Sequence, residues 1–134
     1  METVSIDIEK YDSYVKISLI GAFIAPSFQS FAEKIRKIIT EGTNDQRYLV
    51  VDLTRVTIFT SACLDSLFAE KKRADSFEWN LVIVTPNEQM RELFELTGFN
   101  RFFPLYRSID EFLNKRKNNT SLVRKLRAWW PLKK

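Results

Sequence analysis

The sequence has no histidine, a single cysteine (Cys63) and only three glycines among its 134 residues. The missing histidine excludes histidine-based acid–base catalysis, and with one cysteine it also excludes a Cys/His metal cluster. Three glycines do not make a glycine-rich phosphate-binding loop. A lone cysteine cannot form a disulfide within the chain, which favours a reducing compartment. No set of the remaining residues converges on catalytic chemistry, so we expect a non-enzymatic protein with no cofactor and no metal site.

Long apolar runs are also missing. No stretch approaches the roughly 20 residues that a membrane-spanning helix needs. The first residues alternate apolar and polar side chains and begin acidic, unlike a secretion signal. The length predicts one domain, and 45% hydrophobic with 28% charged residues is typical of a soluble globular protein. We expect a cytoplasmic protein, and a peripheral position at the inner face of the membrane stays open.

The charge is unevenly distributed along the chain. Residues 1–114 hold 13 Lys and Arg against all 17 Asp and Glu, a net charge of −4, whereas residues 115–134 hold 8 basic side chains and no acid. The net charge of +4 therefore conceals a mildly acidic body and a strongly basic tail. We predict a domain over 1–114 and a separate basic amphipathic tail over 115–134.

Hydropathy periods predict strands that alternate with helices. Period-two alternation or short buried runs indicate strands near 4–8, 14–20, 48–52, 81–84 and 102–106. Apolar residues at helical spacing indicate helices near 28–39, 61–74, 90–97 and 108–113. This order predicts the α/β class, with helices packed against a mixed β-sheet.

Local signals predict where several elements begin and end. Gly21 is expected to end the second strand and Gly98 to end the third helix. Ser30 and Ser108 each precede a glutamate by three residues, the pattern of a capping box, although the helix near Ser30 could begin a turn earlier. The aromatic pair at 102–103 is expected to lie in the core.

Ser61 marks the most informative position, because it lies where an apolar strand gives way to an amphipathic helix. A hydroxyl at the start of a helix can cap the helix, or it can be a site where a phosphate is added and tolerated. Either Thr60 or Ser61 could provide the cap. The residues alone do not distinguish a capping role from phosphorylation.

The order of elements and three segments resemble the STAS domain, the fold of bacterial anti-sigma-factor antagonists. The resemblance covers roughly residues 3–114. Its segments are LVVDLTRV at 49–56 with the turn that follows, LVIV at 81–84 with Pro86, and LFELTGFNRFFPLYRSIDEFL at 93–113. The last is the most specific, because the family often has a Leu-Thr-Gly-Leu helix end, then a phenylalanine and a Ser-x-x-Glu helix start.

In that family the turn commonly reads Asp-Ser-Ser/Thr-Gly-Leu-Gly, and a partner kinase phosphorylates its first serine. The matching residues here are TSACLD at 60–65, so the acceptor serine is retained as Ser61. Thr60 replaces the acid, Ala62 the second hydroxyl, and Cys63 and Asp65 the two glycines. The resemblance implies a regulatory module that binds a serine-kinase anti-sigma factor or a related kinase. Phosphorylation at Ser61 would release it, and a cognate phosphatase would reset it.

Other roles for the turn stay open. Thr60 could be the phosphoacceptor, or the turn could bind a partner without phosphorylation, as in a STAS subunit docked on an ABC-type lipid-transport ATPase at the membrane. Cys63 could be a redox-sensitive thiol or a small packed side chain. Asp52 is expected to be a hydrogen-bond acceptor at a strand end. The predicted partner-binding residues are Thr60, Ser61, Ala62, Cys63, Asp65, Ser66 and Glu70.

The tail has a pattern of its own, TSLVRKLRAWWPLKK over 120–134. One predicted helical face is apolar and the other basic, which suits an anionic membrane surface or a partner's groove. Two further interpretations are packing of the tryptophans back on the domain, and nucleic-acid binding, which the acidic body would oppose. The apolar face holds Leu122, Val123, Leu126, Trp129 and Trp130; the basic residues are Arg124, Lys125 and Arg127.

Overall fold

Five strands form one mixed sheet in the order β1-β2-β3-β4-β5, in a computed structural model that describes residues 4–41 and 48–115. The first pair is antiparallel, and the other three pairs are parallel. The predicted α/β class with a mixed sheet is confirmed. The strands are β1 (Ser5–Lys10), β2 (Val15–Phe23), β3 (Tyr48–Phe59), β4 (Asn80–Val84) and β5 (Leu105–Tyr106).

Helices cover both faces of this sheet. Three helices and a short 3-10 turn, Phe99–Arg101, lie in the part of the chain between β2 and β5, and a last helix follows β5. No helix within the described ranges is long and apolar enough to cross a membrane. The helices are α1 (Ala25–Glu41), α2 (Ser61–Ser76), α3 (Glu88–Thr97) and α4 (residues 109–115).

The core has two parts because residues of each strand alternate between the two faces. The larger cluster joins α1, α2 and α3 to one face, where Ile17, Val51 and Ile83 lie on three adjacent strands. The smaller cluster packs Phe112 of α4 against Val50 and its neighbours on the other face. The apolar run 49–51 is buried on both faces, as predicted for a central strand.

Some predicted boundaries are confirmed. Gly98 adopts a left-handed conformation (φ 79°) directly after α3, which a residue without a Cβ adopts at little cost. The Ser108 hydroxyl accepts a hydrogen bond from the backbone N–H of Glu111 (3.1 Å), which caps α4. α4 continues through Lys115, one residue beyond the predicted domain end. The rest of the tail, 116–134, lies outside the described residues.

Other predictions were wrong. β2 continues through Gly21 to Phe23, because Gly21 (φ 102°) stays paired with Val56 and only a register shift follows it. α1 begins at Ala25, so the earlier helix start that the sequence left open is confirmed, and the capping box at Ser30 is not formed because Ser30 lies inside the helix. Phe103 is buried, but Phe102 is 47% exposed and belongs to the surface.

Candidate functional site

The turn around Ser61 is a single residue long. β3 ends at Phe59 and α2 begins at Ser61, so only Thr60 separates them. β2 and β3 are parallel and end together, since Phe23 pairs with Phe59, so this turn lies at the carboxyl end of that strand pair. β4 ends earlier, opposite Asp52. Loop and helix-start residues of an α/β sheet commonly form binding sites at the carboxyl ends of its strands.

Thr60 is the residue that caps α2. Its backbone is extended (φ −87°, ψ 165°), as an N-cap requires. Its Oγ1 accepts a hydrogen bond from the backbone N–H of Cys63 at 3.3 Å, and its carbonyl accepts one from Leu64 N at 3.1 Å. Of the two hydroxyls that the sequence left open, Thr60 therefore has the structural role.

Ser61 is exposed at the first position of α2 and carries no capping duty. The backbone N–H groups of Ser61 and Ala62 are orphans of the helix start, since intrahelical bonds begin at later residues. No acidic side chain lies in the first turn of α2. The partial positive charge of the helix N-terminus is thus not neutralised from within that turn, and it favours an anion at Ser61.

Cys63 is fully buried and does not belong to the exposed surface of the turn. Its thiol donates a hydrogen bond to the carbonyl oxygen of Phe23 at 3.1 Å and lies 3.3 Å from the Thr60 hydroxyl. The side chain joins the start of α2 to the end of β2. The prediction that Cys63 contacts a partner was wrong, because its side chain is buried beneath the turn and holds it in position.

Glu70 is also removed from the predicted contact surface, because its side chain is only 2% exposed. Its Oε1 accepts a hydrogen bond from Arg36 Nε of α1 and one from Arg73 Nε of α2, each at 3.2 Å. Burial of a carboxylate between two guanidinium groups ties α1 to α2. The sequence showed only a polar helix position and did not reveal this partner on another helix.

The surface that does surround Ser61 is partly apolar. Ala62 and Asp65 are exposed and Ser66 is half-buried. Close to the turn, Ile24 and Ile58 are 50% and 49% exposed. Sequence analysis missed both isoleucines. A signal exists only in the strand pairing, since Ile58 lies opposite Ala22, two residues before Ile24.

Two other polar groups have structural explanations. Asp52 lies within β3, not at its end, and its Oδ1 accepts a hydrogen bond from the backbone N–H of Thr54 at 2.9 Å. It is a hydrogen-bond acceptor, as predicted. Beyond the ends of β4 and β5, a hydrogen bond from Arg107 together with its charge holds the pKa of Glu88 below its usual range. That pair joins the start of α3 to the end of β5.

The described ranges contain no group of three His, Cys, Asp or Glu side chains placed to hold a metal ion. The predicted tail contacts, Arg124, Lys125, Arg127, Trp129 and Trp130, lie outside those ranges. The site that the structure offers is therefore the exposed surface around Ser61. It comprises hydroxyl groups, an orphaned helix start and two exposed isoleucines.

Solved structures share this fold. An anti-sigma factor antagonist from Mycobacterium paratuberculosis matches with a TM-score of 0.69 at 23% identity, covering 84% of this chain and 93% of that chain. A putative anti-sigma factor antagonist from Thermotoga maritima matches with 0.72 at 18% identity, covering 82% and 92%. SpoIIAA of Bacillus, a cell fate determinant, in its phosphorylated form, matches with 0.63 at 15% identity, covering 83% and 98%. At these identities the likeness shows the fold.

No curated protein matches the sequence at a significant level. The model of the STAS domain family matches residues 5–112, from the first residue of β1 to the middle of α4. The match therefore covers the Ser61 turn, with β3 before it and α2 after it, and the first part of α4. The chain belongs to the STAS domain family.

Proposed function

We propose that the protein is a non-enzymatic cytoplasmic binding module of the anti-sigma-factor antagonist type, which acts in signal transduction to transcription. Phosphorylation of Ser61 by a partner kinase switches its binding, and a phosphatase restores it. One observation carries the proposal. The Ser61 hydroxyl is exposed at the first position of α2, while Thr60 alone caps the helix.

The electrostatics of the turn suit a phosphate. A phosphoserine carries about −1.5 to −2 charges at neutral pH. At the start of a helix, negative charge is stabilised by about 0.3 to 1 kcal/mol, because the orphaned N–H groups and the macrodipole favour it. Asp65 lies one turn further along α2 and is exposed, so solvent screens its repulsion. Modification should therefore leave the fold intact.

The switch would act on the partner and not on the fold. Ile24 and Ile58 are exposed beside the turn, and Ala62 follows the serine directly. A partner that covers this surface must bury apolar groups next to the Ser61 hydroxyl. A phosphate at that point would be desolvated without a compensating cation in the described surface of the turn, which weakens the complex.

The relatives support the proposal at the level of the fold. SpoIIAA has been solved in a phosphorylated form, so this architecture accommodates phosphate in at least one member. An RsbS protein from Moorella thermoacetica shares the fold with a TM-score of 0.70 at 20% identity. No observation favours the alternative role as a docking subunit of an ABC-type ATPase, and we do not propose it.

The modification is tested first. The protein is purified from its native host, weighed intact, and any phosphate is mapped by peptide mass spectrometry. We expect one phosphate on Ser61 and its loss in Ser61→Ala. The matched control is Ser76→Ala, which removes an exposed hydroxyl from the other end of α2. Phosphate on Thr60, or undiminished labelling of Ser61→Ala, would contradict the assignment.

Binding is tested separately with the kinase that co-purifies. Ser61→Glu places a carboxylate at the switch position. We expect it to lower the affinity at least tenfold for the partner that binds when Ser61 is unmodified. Ser76→Glu is the matched control, since it adds the same charge away from the turn. Equal affinities of Ser61→Glu and the parent protein would exclude the switch while leaving a docking role intact.

A further inference from the structure

Three phenylalanines form a partly exposed cluster on the side of the sheet that α1, α2 and α3 cover, with Phe68 two turns along α2 from Ser61. The Phe68 ring stacks on Phe99 with centroids 5.0 Å apart and lies 5.0 Å from Phe102. Phe102 is 47% exposed, and the other two are half-buried. We call Phe68, Phe99 and Phe102 the aromatic patch. Contiguous apolar groups that remain partly exposed are typical of a contact surface.

We infer that the chain's own C-terminal segment, residues 120–134, covers the aromatic patch through Trp129 and Trp130. This inference is independent of phosphorylation at Ser61. Its first support is where the described chain ends. The Lys115 ammonium lies 5.8 Å from the ring of Tyr106 in β5, the strand at the edge of the sheet. The chain thus leaves α4 beside β5, the edge strand that lies between the α4 face of the sheet and the face covered by α1, α2 and α3.

The distances allow the contact. Phe102 is four residues before Tyr106, so their Cα atoms are at most about 14 Å apart. Fourteen residues join Lys115 to Trp129, a length of about 21 Å as a helix and about 46 to 50 Å when extended. A helical or an extended segment that passes around the edge strand therefore reaches the patch.

The chemistry of the two surfaces is complementary in its apolar parts. The sequence pattern places Leu126, Trp129 and Trp130 on one helical face, and tryptophan stacked on phenylalanine stabilises a contact beyond the effect of the buried area. Lys72 lies 4.7 Å over the Phe68 ring, so the charge beside the patch does not attract basic side chains. The contact is therefore apolar, and the basic residues of the segment face solvent.

The first test follows the tail tryptophans by fluorescence in the full-length chain. Trp79 is 1% exposed, and replacing it by phenylalanine leaves Trp129 and Trp130 as the only indoles. In this Trp79→Phe background we expect blue-shifted emission and protection from acrylamide quenching. Phe102→Ser should red-shift the emission and remove the protection. The matched control is Leu96→Ser, which removes an 86% exposed side chain from α3 outside the patch.

A second variant changes the C-terminal segment instead of the aromatic patch, at a residue outside the described fold. Leu126→Ser weakens the apolar face of the tail, and we expect the same loss of protection as in Phe102→Ser. Far-ultraviolet circular dichroism checks that each variant keeps its folded signal. If Phe102→Ser and Leu126→Ser both leave the emission and quenching of the parent unchanged, the inference is overturned.

The remaining outcomes decide between occupants. Protection that is constant on dilution, in a protein that sediments as a monomer, supports the contact within one chain. Protection that disappears on dilution assigns the patch to a second copy and overturns it. Tryptophans that are unprotected in solution and become protected only on vesicles containing phosphatidylserine assign the tail to a membrane surface and also overturn it.

Discussion

The two hydroxyls at the start of α2 should differ sharply in what their removal costs. Thr60→Ala deletes the oxygen that accepts the Cys63 N–H at 3.3 Å and leaves that donor without its cap. Loss of a threonine N-cap costs about 1 kcal/mol, within a range of about 0.5 to 2. Ser61→Ala removes an exposed hydroxyl without a capping role, so its cost should stay within about 0.5 kcal/mol.

The assay is equilibrium urea unfolding, followed by circular dichroism, together with thermal melts. For a chain of this length, a loss of 1 kcal/mol corresponds to a decrease in Tm of about 3 to 5 °C. Thr60→Ser is the matched control, because it keeps the capping oxygen and should stay close to the parent. Thr60→Asp also keeps a capping oxygen and adds a charge that the helix start favours.

A result in which Ser61→Ala loses as much stability as Thr60→Ala would refute the reasoning. It would mean that Ser61 shares the capping role, and that phosphorylation there would disturb the fold. The distinction between a structural and a regulatory hydroxyl depends on this difference. For that reason it should be measured before any experiment with a kinase.

The remaining predictions concern two ion pairs. Glu70→Gln keeps the volume of the side chain but removes the buried charge between Arg36 and Arg73, and should lower the free energy of unfolding by about 2 kcal/mol in urea; a neutral result would show that the pair does not tie α1 to α2. Arg107→Ala should raise the pKa of Glu88 towards its ordinary value in an NMR titration, because the hydrogen bond and charge of Arg107 hold it low. The folded-state pKa of Glu88 is depressed, so its small contribution is present above the ordinary pKa and is lost as the pH falls through the folded-state value. An unchanged pKa in Arg107→Ala would exclude that cause.

The order of elements was predictable because its signals are local. Strand and helix periods depend on residues within a few positions, and these located the five strands and four α-helices of the described ranges. They did not locate the 3-10 turn at 99–101, and the strand predicted at 102–106 is confined to Leu105–Tyr106. Capping is local too, which is why Ser108 and Gly98 were placed correctly. The same local reasoning failed at Gly21, because pairing with Val56 of a neighbouring strand carries β2 past it.

Burial of individual side chains was not predictable, because their partners are distant in sequence. Glu70 meets Arg36 across 34 residues, and Cys63 meets Phe23 across 40. The hydropathy pattern of α2 does not indicate either partner, because Arg36 and Phe23 belong to other elements. Phe102 was expected in the core because it is aromatic and lies next to Phe103. The sequence does not show that the backbone after the 3-10 turn at 99–101 leaves the Phe102 side chain at the surface.

By itself, the sequence determined the α/β class, the family resemblance and the position of a hydroxyl pair at the start of a helix. Only the tertiary structure decided which hydroxyl caps the helix. The path from β3 into α2 gives Thr60 the extended backbone of an N-cap, and leaves Ser61 exposed at the first helical position. The physical reason is that a cap depends on backbone angles set by the strand before it. Two adjacent hydroxyls are indistinguishable until that strand is in place.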